Sequence, residues 1–559
     1  MFDFRDPLFR GKALRIALVA IVAVHIAIPL ATVVSGTLAI TSTLTIDDSF
    51  YYLLTAWHAA NNGIVSFDTI NTTNGVQFVW FCLLYILSLM SGSKESLLDA
   101  AIILSIACST LPYFLFPHLG RLTGVSRPQA LSVILAVSWF TVCQLNPRFA
   151  FGAMDSSLHG LVAWAVIVQA IIVTTPLLDQ HRPSNSSLML LAILLVLNAW
   201  TRLDSGVLSA VLSLPLLYAI FGGAVSRYKI CIDEIKQSLR RHYYIFIIII
   251  VAAFIQFGFF YLSGGTVMPV SAMVKDEIFS QSAHASFPAW AFLLWPFNYA
   301  NSDILSVIGV VCFFIMILAI GFAAAANRLN KAFAIVIGLA AAGIVVHALL
   351  ISHIFLQYYF WYLSWNYVYW CIGSSLLIYA VLALLPDTPG VRVLPAGLAA
   401  VAIAAVITAS VLLRSPSDFY AQRMAAARWI RENTPPDAII GAWNAGQLGY
   451  FSDRRVVNLD GLINSKRYLE LVLRNPAYFR TYMQETGITY LADYAFGFFK
   501  QDLEENGGFD VVKTFALSPS LTLQVLKVRP DGAAAAPAAN PQRARLQIDG
   551  APTRAHAAA

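Results

Sequence analysis

The segment TIDDSFYYLLTAWHAANNGIVSFDTINTTNGVQFVW, residues 45–80, begins where an apolar run from Leu14 to Ile40 ends, and that run is long enough to span a bilayer. Two adjacent carboxylates, Asp47 and Asp48, therefore stand at the exit of a span, beside a loop rich in aromatic residues and Asn. Ionisable groups are expensive at a membrane boundary and mark functional positions there. The plainer alternative is an interfacial anchor that does no more than solvate the span end. A carboxylate at this exit is positioned to serve as a catalytic base.

The surrounding composition is that of a polytopic membrane protein: 58% hydrophobic and 12% charged over 559 residues, with mean hydropathy +0.69. A soluble globule does not have this balance. The formal charge of +6 is modest, and the basic residues sit in short loops rather than one patch, so they report topology and not a nucleic-acid partner. Cys82, Cys108, Cys143, Cys312 and Cys371 lie in apolar runs and Cys231 in a basic loop, without paired spacing, so neither a disulfide framework nor a zinc site is expected. The first apolar run is too long for a signal-peptide core and reads as a retained anchor.

Apolar runs of about 20 residues number about eleven. They lie near 14–40, 98–117, 128–145, 159–176, 187–200, 206–222, 243–263, 301–325, 332–352, 361–385 and 393–413. Lys and Arg favour cytoplasmic loops. Arg5, Arg10, Lys12 and Arg15, then Arg121 and Arg127, then Lys229, Lys236, Arg240 and Arg241, then Arg328 and Lys331 all fall on one side if residues 76–92 form an amphipathic surface helix and do not cross. The loops around Asp48, Asp155, Asp204 and Lys275 then share the opposite, outer face. From Arg414 hydropathy falls. RWIRENTPPDAIIGAWNAGQLGYFSDRRVVNLDGLIN reads as helix, strand, turn, strand, punctuated by Pro435, Pro436, Gly446 and Gly461, and ITYLADY and SLTLQVLKV read as further strands around a helical 465–486. With an odd number of spans and a cytoplasmic N-terminus, this α/β domain over 414–528 is extracytoplasmic. Residues 529–559 are Ala- and Pro-rich and read as a disordered tail.

Outside the cytoplasm no nucleotide sugars are available, and sugars are carried there on polyprenyl phosphates. A site that uses them needs a carboxylate to take a proton from the acceptor hydroxyl, a cation or amide donors for the phosphate leaving group, and an apolar groove for the prenyl tail. Asp47 and Asp48 are candidates for the first, and Lys275, Arg148 and Arg202 for the second.

DDSFYYL followed by G-x-x-SFD-x-IN-x-TNG-x-Q-x-x-W resembles the first outer loop of the GT-C superfamily of polytopic glycosyltransferases. That superfamily includes dolichyl-phosphate-mannose protein mannosyltransferases, aminoarabinose transferases and the oligosaccharyltransferase catalytic subunit. The resemblance implies an α-helical polytopic GT-C fold over residues 1–413, with the first outer loop and its juxtamembrane helices at 41–97. Counting from Ala56-Trp57, where many relatives carry Ala-Arg, Asp48 matches the catalytic aspartate and Asp47 its neighbour, and both stand as candidates. Asn74 and Gln77 of the same motif are candidate substrate contacts. NPRFAFGAMDSSL, residues 146–158, resembles the second outer loop, with Asp155 at the acidic position. TRLD, residues 201–204, resembles an Arg-acid pair at a span end. GGTVMPVSAMVK, residues 264–275, resembles a Pro-to-Lys loop in which relatives carry Asn after the Pro; here Val270 follows Pro269.

Each residue has a structural alternative. Asp155 could cap its loop, Arg202 and Asp204 could form a local ion pair, and Lys275 could reach out of the membrane to the interface. His58 reads as a packing residue. His353, Gln357 and the Tyr358, Tyr359, Trp361, Tyr362 cluster could line a sugar pocket or belong to an interfacial aromatic belt. Asn444, Gln447 and Asp460 read first as turn and capping residues, with acceptor contact the alternative. No phosphate-cradling glycine loop, HExxH or nucleophile elbow is present. The resemblance implies an inverting transfer of a hexosyl or pentosyl group from a polyprenyl-phosphate donor to a lipid, glycan or protein acceptor. The protein would sit in the inner membrane with its chemistry outside. No motif calls for a cofactor; a Mg²⁺ or Mn²⁺ ion is compatible with the resemblance, with Asp48 and Asp155 the candidates for shared coordination. The rival reading is a transporter or flippase of lipid-linked glycans, though the inverted repeats usual in transporters are absent from the sequence.

Overall fold

The computed structural model describes residues 12–222, 225–226, 229–230, 232–281, 315–321, 323–326, 328–352, 362–386, 388–413, 418–494, 508–519 and 521–529. His353, Tyr358 and the Ala- and Pro-rich tail lie outside them.

Every apolar run of the sequence meets helix in its described residues. Among these residues seven helices are long and apolar enough to cross a membrane, or eight if the bent pair Leu203–Leu212 and Leu214–Phe221 is one span. The shorter apolar helices Asn185–Thr201, Ile315–Ala325 and Val393–Thr408 account for the other runs. Helix α1 (Lys12–Val34) carries His25, fully buried. Its ring nitrogens lie 3.0 Å from Ser109 Oγ and 3.1 Å from the Tyr113 hydroxyl. A polar group inside a bundle without water must find its partners there. At one end of the bundle the Asn330 N–H donates to Thr123 O at 2.8 Å, joining the loop of Arg121 and Arg127 to that of Arg328 and Lys331.

A short helix, α2 (Thr37–Thr43), follows the first span, and then come α3 (Asp47–Asn62) and α4 (Phe78–Met90). At about 1.5 Å per residue, the 13 residues of α4 reach about 20 Å, short of the roughly 30 Å hydrocarbon core. Three short helices, α2, α3 and α4, therefore lie between the first span and the next, Lys94–Leu122. Trp80 of α4 is fully buried and its indole N–H donates to Ala153 O at 3.1 Å, which fixes α4 against the second outer loop.

The C-terminal part is a five-stranded sheet with helices. Its strands are β1 (Ile439–Ala442), β2 (Arg455–Asn458), β3 (Ile488–Asp493), β4 (Phe509–Ser518) and β5 (Leu521–Val528), in the order β2-β1-β3-β5-β4. The first three are parallel, with Ile440 opposite Val456 and Tyr490, and β5 runs antiparallel to both β3 and β4. Two features depart from the sequence reading. The stretch read as a turn after β1 is a helix, Ala445–Phe451, and β4 was not anticipated. Gly446 made the first look like a turn, but it and Gly449 are glycine because α3 and the loop after it lie against them: a Cβ on Gly446 would meet Asp47 O at 2.1 Å, and one on Gly449 would meet the Phe67 ring at 2.7 Å and Leu54 Cδ2 at 3.2 Å. Strand β4 is an edge strand with exposed Val511 and Val512 and lacks a regular alternation.

Candidate active site

Consecutive residues on a helix point about 100° apart, so Asp47 and Asp48, both in the first turn of α3, face different surroundings. Asp47 faces the sheet domain. Its Oδ2 accepts the Gly446 N–H at 3.0 Å and its Oδ1 the Gln447 N–H at 2.8 Å, which satisfies the first amides of the helix Ala445–Phe451. Arg423, 2% exposed in the helix Asp418–Asn433, donates to Asp47 Oδ1 at 2.5 Å and to Asn444 O at 3.0 Å.

Asp48 faces a narrow cavity that opens to solvent. Tyr51, Tyr52, Gly75, Gln77 and Met154 line it from the first and second outer loops, with Arg202, Ser271, Lys275 and Tyr362 from the span ends and Leu462 and Ile463 from the sheet domain. Burial pushes the Asp48 carboxyl up to about 6; Asp47 and Asp155 push the same way, and Lys275 and Arg423 oppose. Such a carboxylate is ionised at neutral pH yet basic enough to accept a proton.

Two cations share this lining, Arg202 and Lys275. Arg202 is buried, its Nη1 2.8 Å from Asp155 Oδ2 and its Nη2 3.1 Å from Asp204 Oδ1. The other Asp204 oxygen lies 2.9 Å from His347 Nε2. The guanidinium stacks over the Tyr362 ring at 4.6 Å, and Lys275 Nζ lies 5.2 Å from the same ring and donates to its hydroxyl at 2.5 Å. Arg202 is thus held rigid by two carboxylates and a ring, whereas Lys275 is a compact cation on a flexible stem.

The structure brings Asp48, Gln77, Arg202 and Lys275 to one cavity, with Asp155 and Asp204 behind Arg202. Two residues with expected substrate contacts lie elsewhere. Asn74 is fully buried: its Nδ2 is within 3.2 Å of the Phe260, Thr266 and Met268 carbonyls and its Oδ1 accepts the Val270 N–H at 2.7 Å. It clamps the start of the helix Val270–Gln281, which carries Lys275. Arg148 does not line the cavity; it stacks over Tyr420 at 4.8 Å and reaches Ser42 O at 3.5 Å. His58 lies 3.1 Å from Ser66 O, inside the loop that Asp68 ties together through the Ile70 and Asn71 amides.

The sheet domain also forms part of the wall, through Leu462 and Ile463, beside the Asp460 for which the sequence offered acceptor contact only as the alternative. The loop after β2 lies over the cavity, close enough that a Cβ on Gly75 would meet Leu462 O at 2.2 Å. Tyr51 ties it down, its hydroxyl 3.3 Å from Asp460 Oδ2 and 3.2 Å from Asn458 Nδ2. Burial pushes the Asp460 carboxyl up to about 8; the Leu462 N–H opposes, while Asp48 and Asp47 add to the rise. Asp460 therefore keeps its proton at neutral pH and leaves Asp48 as the ionised acid. Among the described residues no three His, Cys, Asp or Glu side chains gather to hold a metal ion.

Comparison with known proteins agrees with this architecture. A family model described as "Domain of unknown function (DUF8728)" matches residues 413–535, the sheet domain and its approach. No curated protein matches the chain. Two solved structures of ArnT from Cupriavidus metallidurans, one bound to undecaprenyl phosphate and one in the apo state, are similar over almost their whole length. Each is 12% identical, covers 93% of this chain and 99% of its own, and has a TM-score of 0.52. The chain is a multi-pass membrane protein of the GT-C fold with a small C-terminal sheet domain.

Proposed function

We propose that the protein is a polyprenyl-phosphate-dependent glycosyltransferase that moves a sugar to an acceptor hydroxyl on the extracytoplasmic face of the membrane. The observation that carries this reading is the single cavity that Asp48, Lys275 and Arg202 line together with Tyr362 and Gln77. The ArnT structure with undecaprenyl phosphate supports a lipid phosphate as the donor's anchor.

In the proposed reaction the acceptor oxygen attacks C1 of the sugar while its proton passes to Asp48. The bond from C1 to the phosphate oxygen breaks, and the polyprenyl phosphate leaves with the electron pair. Attack from the side opposite the phosphate inverts C1. Lys275 supplies mobile donors to the developing charge, and Arg202, already held by Asp155 and Asp204, supplies fixed charge. Asn74 acts indirectly, by fixing the loop that presents Lys275. The sidedness rests on the basic loops at the other end of the bundle, which favour the cytoplasm and leave the cavity and the sheet domain outside.

The test is transfer by purified protein in liposomes, offered a panel of radiolabelled undecaprenyl- and decaprenyl-phosphate sugars with cell-envelope lipid extract as acceptor. Transfer that is lost in Lys275→Ala supports the reading. Movement of labelled lipid across the bilayer without any transfer would make the protein a transporter instead.

A further inference from the structure

We propose that Arg423 of the sheet domain is a positioning residue for sugar transfer: by pinning Asp47 to the first turn of the helix Ala445–Phe451, it leaves Asp48 alone to face the cavity. This rests on the proposed transferase reading of that cavity.

The geometry is costly unless it does something beyond docking. A guanidinium that is 2% exposed has lost nearly all its hydration, and apolar packing holds two surfaces together at least as well as a buried ion pair. Among the described residues, the carboxylate that Arg423 pairs with is Asp47, 376 positions away in sequence. Its Nε is buried without a partner, and its plane lies 5.8 Å from the Phe419 ring and 5.6 Å from the Tyr494 ring. The nearby Asp493 is engaged by the Asn444 amide and side chain.

Asp47 is in turn fully committed to the domain, with Arg423 and two backbone N–H groups on its oxygens. Without Arg423, two neighbouring carboxylates at one helix start would repel, and Asp47 would be free to compete for the cavity's cations. Arg423 thereby makes the seating of the sheet domain and the readiness of Asp48 one event. The charged and titratable groups around Asp48 come from every neighbouring element. Asp47, Tyr51 and Tyr52 lie on its own helix. Arg202, Lys275 and Tyr362 line the same cavity, and Asp155, behind Arg202, acts on Asp48 from the second outer loop. Arg423 and Asp460 face it from the sheet domain.

The test compares wild type, Arg423→Gln, Arg423→Lys, Asp47→Asn and the Arg423→Gln/Asp47→Asn double variant, using whichever radiolabelled undecaprenyl- or decaprenyl-phosphate sugar the wild type transfers. Transfer requires ionised Asp48, so its rate rises with pH through the Asp48 midpoint. Loss of the Arg423 cation moves this ascending limb to higher pH, and loss of the Asp47 anion moves it to lower pH, each by about half a pH unit or more. The double variant lies between them, and Arg423→Lys keeps the wild-type limb. In Arg423→Gln, kcat falls about tenfold with little change in donor KM. If Arg423→Gln does not fold, the Asp47→Asn shift and the Arg423→Lys profile decide. A wild-type rate and profile in every folded variant would overturn the role of Arg423 alone. Failure of the wild type to transfer from any donor would overturn the proposed function and this role with it.

Discussion

Replacing Asp48 by Asn should abolish transfer and at the same time stabilise the protein. The side chain keeps its shape and loses its charge, and the charge is what the site resists. Burial, with Asp47 and Asp155 nearby, raises the carboxyl from 3.8 to about 6. Ionising it in place therefore costs about 3 kcal/mol more than in the unfolded chain. The raised midpoint fixes the sign. Below about pH 4 the carboxyl is protonated in both states and the variant gains nothing. Between about pH 4 and 6 the unfolded chain gives up this proton while the folded wild type holds it, so the gap opens across that window and is essentially complete by about pH 7. By the usual scaling of unfolding entropy with chain length, this is a rise of about 2–3 °C in melting temperature. Thermal unfolding in detergent, followed for both proteins from pH 4 to 8, measures it. An equal gap at every pH, or a variant that melts below the wild type at pH 8, would mean that Lys275 stabilises the Asp48 anion more than burial destabilises it.

Three further outcomes follow from the same geometry. Arg202→Leu strands the fully buried Asp155 beside Asp204 and should cost about 3–5 kcal/mol, read as a lower melting temperature that Arg202→Lys only partly restores. Asn74→Ala frees the loop before Val270 and so lets Lys275 wander; donor KM should rise about tenfold while melting falls only modestly, as measured by donor titration. Gly75→Ala puts a methyl group 2.2 Å from Leu462 O and should unseat the loop over the cavity at a cost of about 1–3 kcal/mol, detected as faster proteolysis of the sheet domain.

The membrane architecture was legible because a span must be about 20 apolar residues long, and such runs stand out without any knowledge of their neighbours. The first outer loop was legible for another reason: its acids, TNG and Trp80 form a local pattern. Residues that act across long sequence separations were not legible. Nothing near Arg423 in sequence marks it as the partner of Asp47, and Leu462 reads as an ordinary loop residue until the fold sets it over Gly75. Local pattern also misassigned chemistry. Asn74 sits in the most informative motif, yet its amide is spent on the backbone at 260–270. Gly446 after β1 suggested a turn, when it is the price of packing a helix on α3. The motif set Asp48 ahead of Asp47 but left both as candidates; the fold adds their partners, sheet-domain amides and Arg423 for Asp47 and the cavity for Asp48.

Single-turnover transfer by wild type and Asp48→Asn, side by side in the same liposomes with the donor the wild type uses, bears directly on Asp48 as the base. A positioned general base contributes about 10²–10⁴-fold. The variant should therefore lose at least that much in rate while binding donor normally and melting no lower than the wild type at pH 7. Transfer by a folded Asp48→Asn within a few-fold of the wild-type rate would contradict the assignment and require the proton to leave by another group.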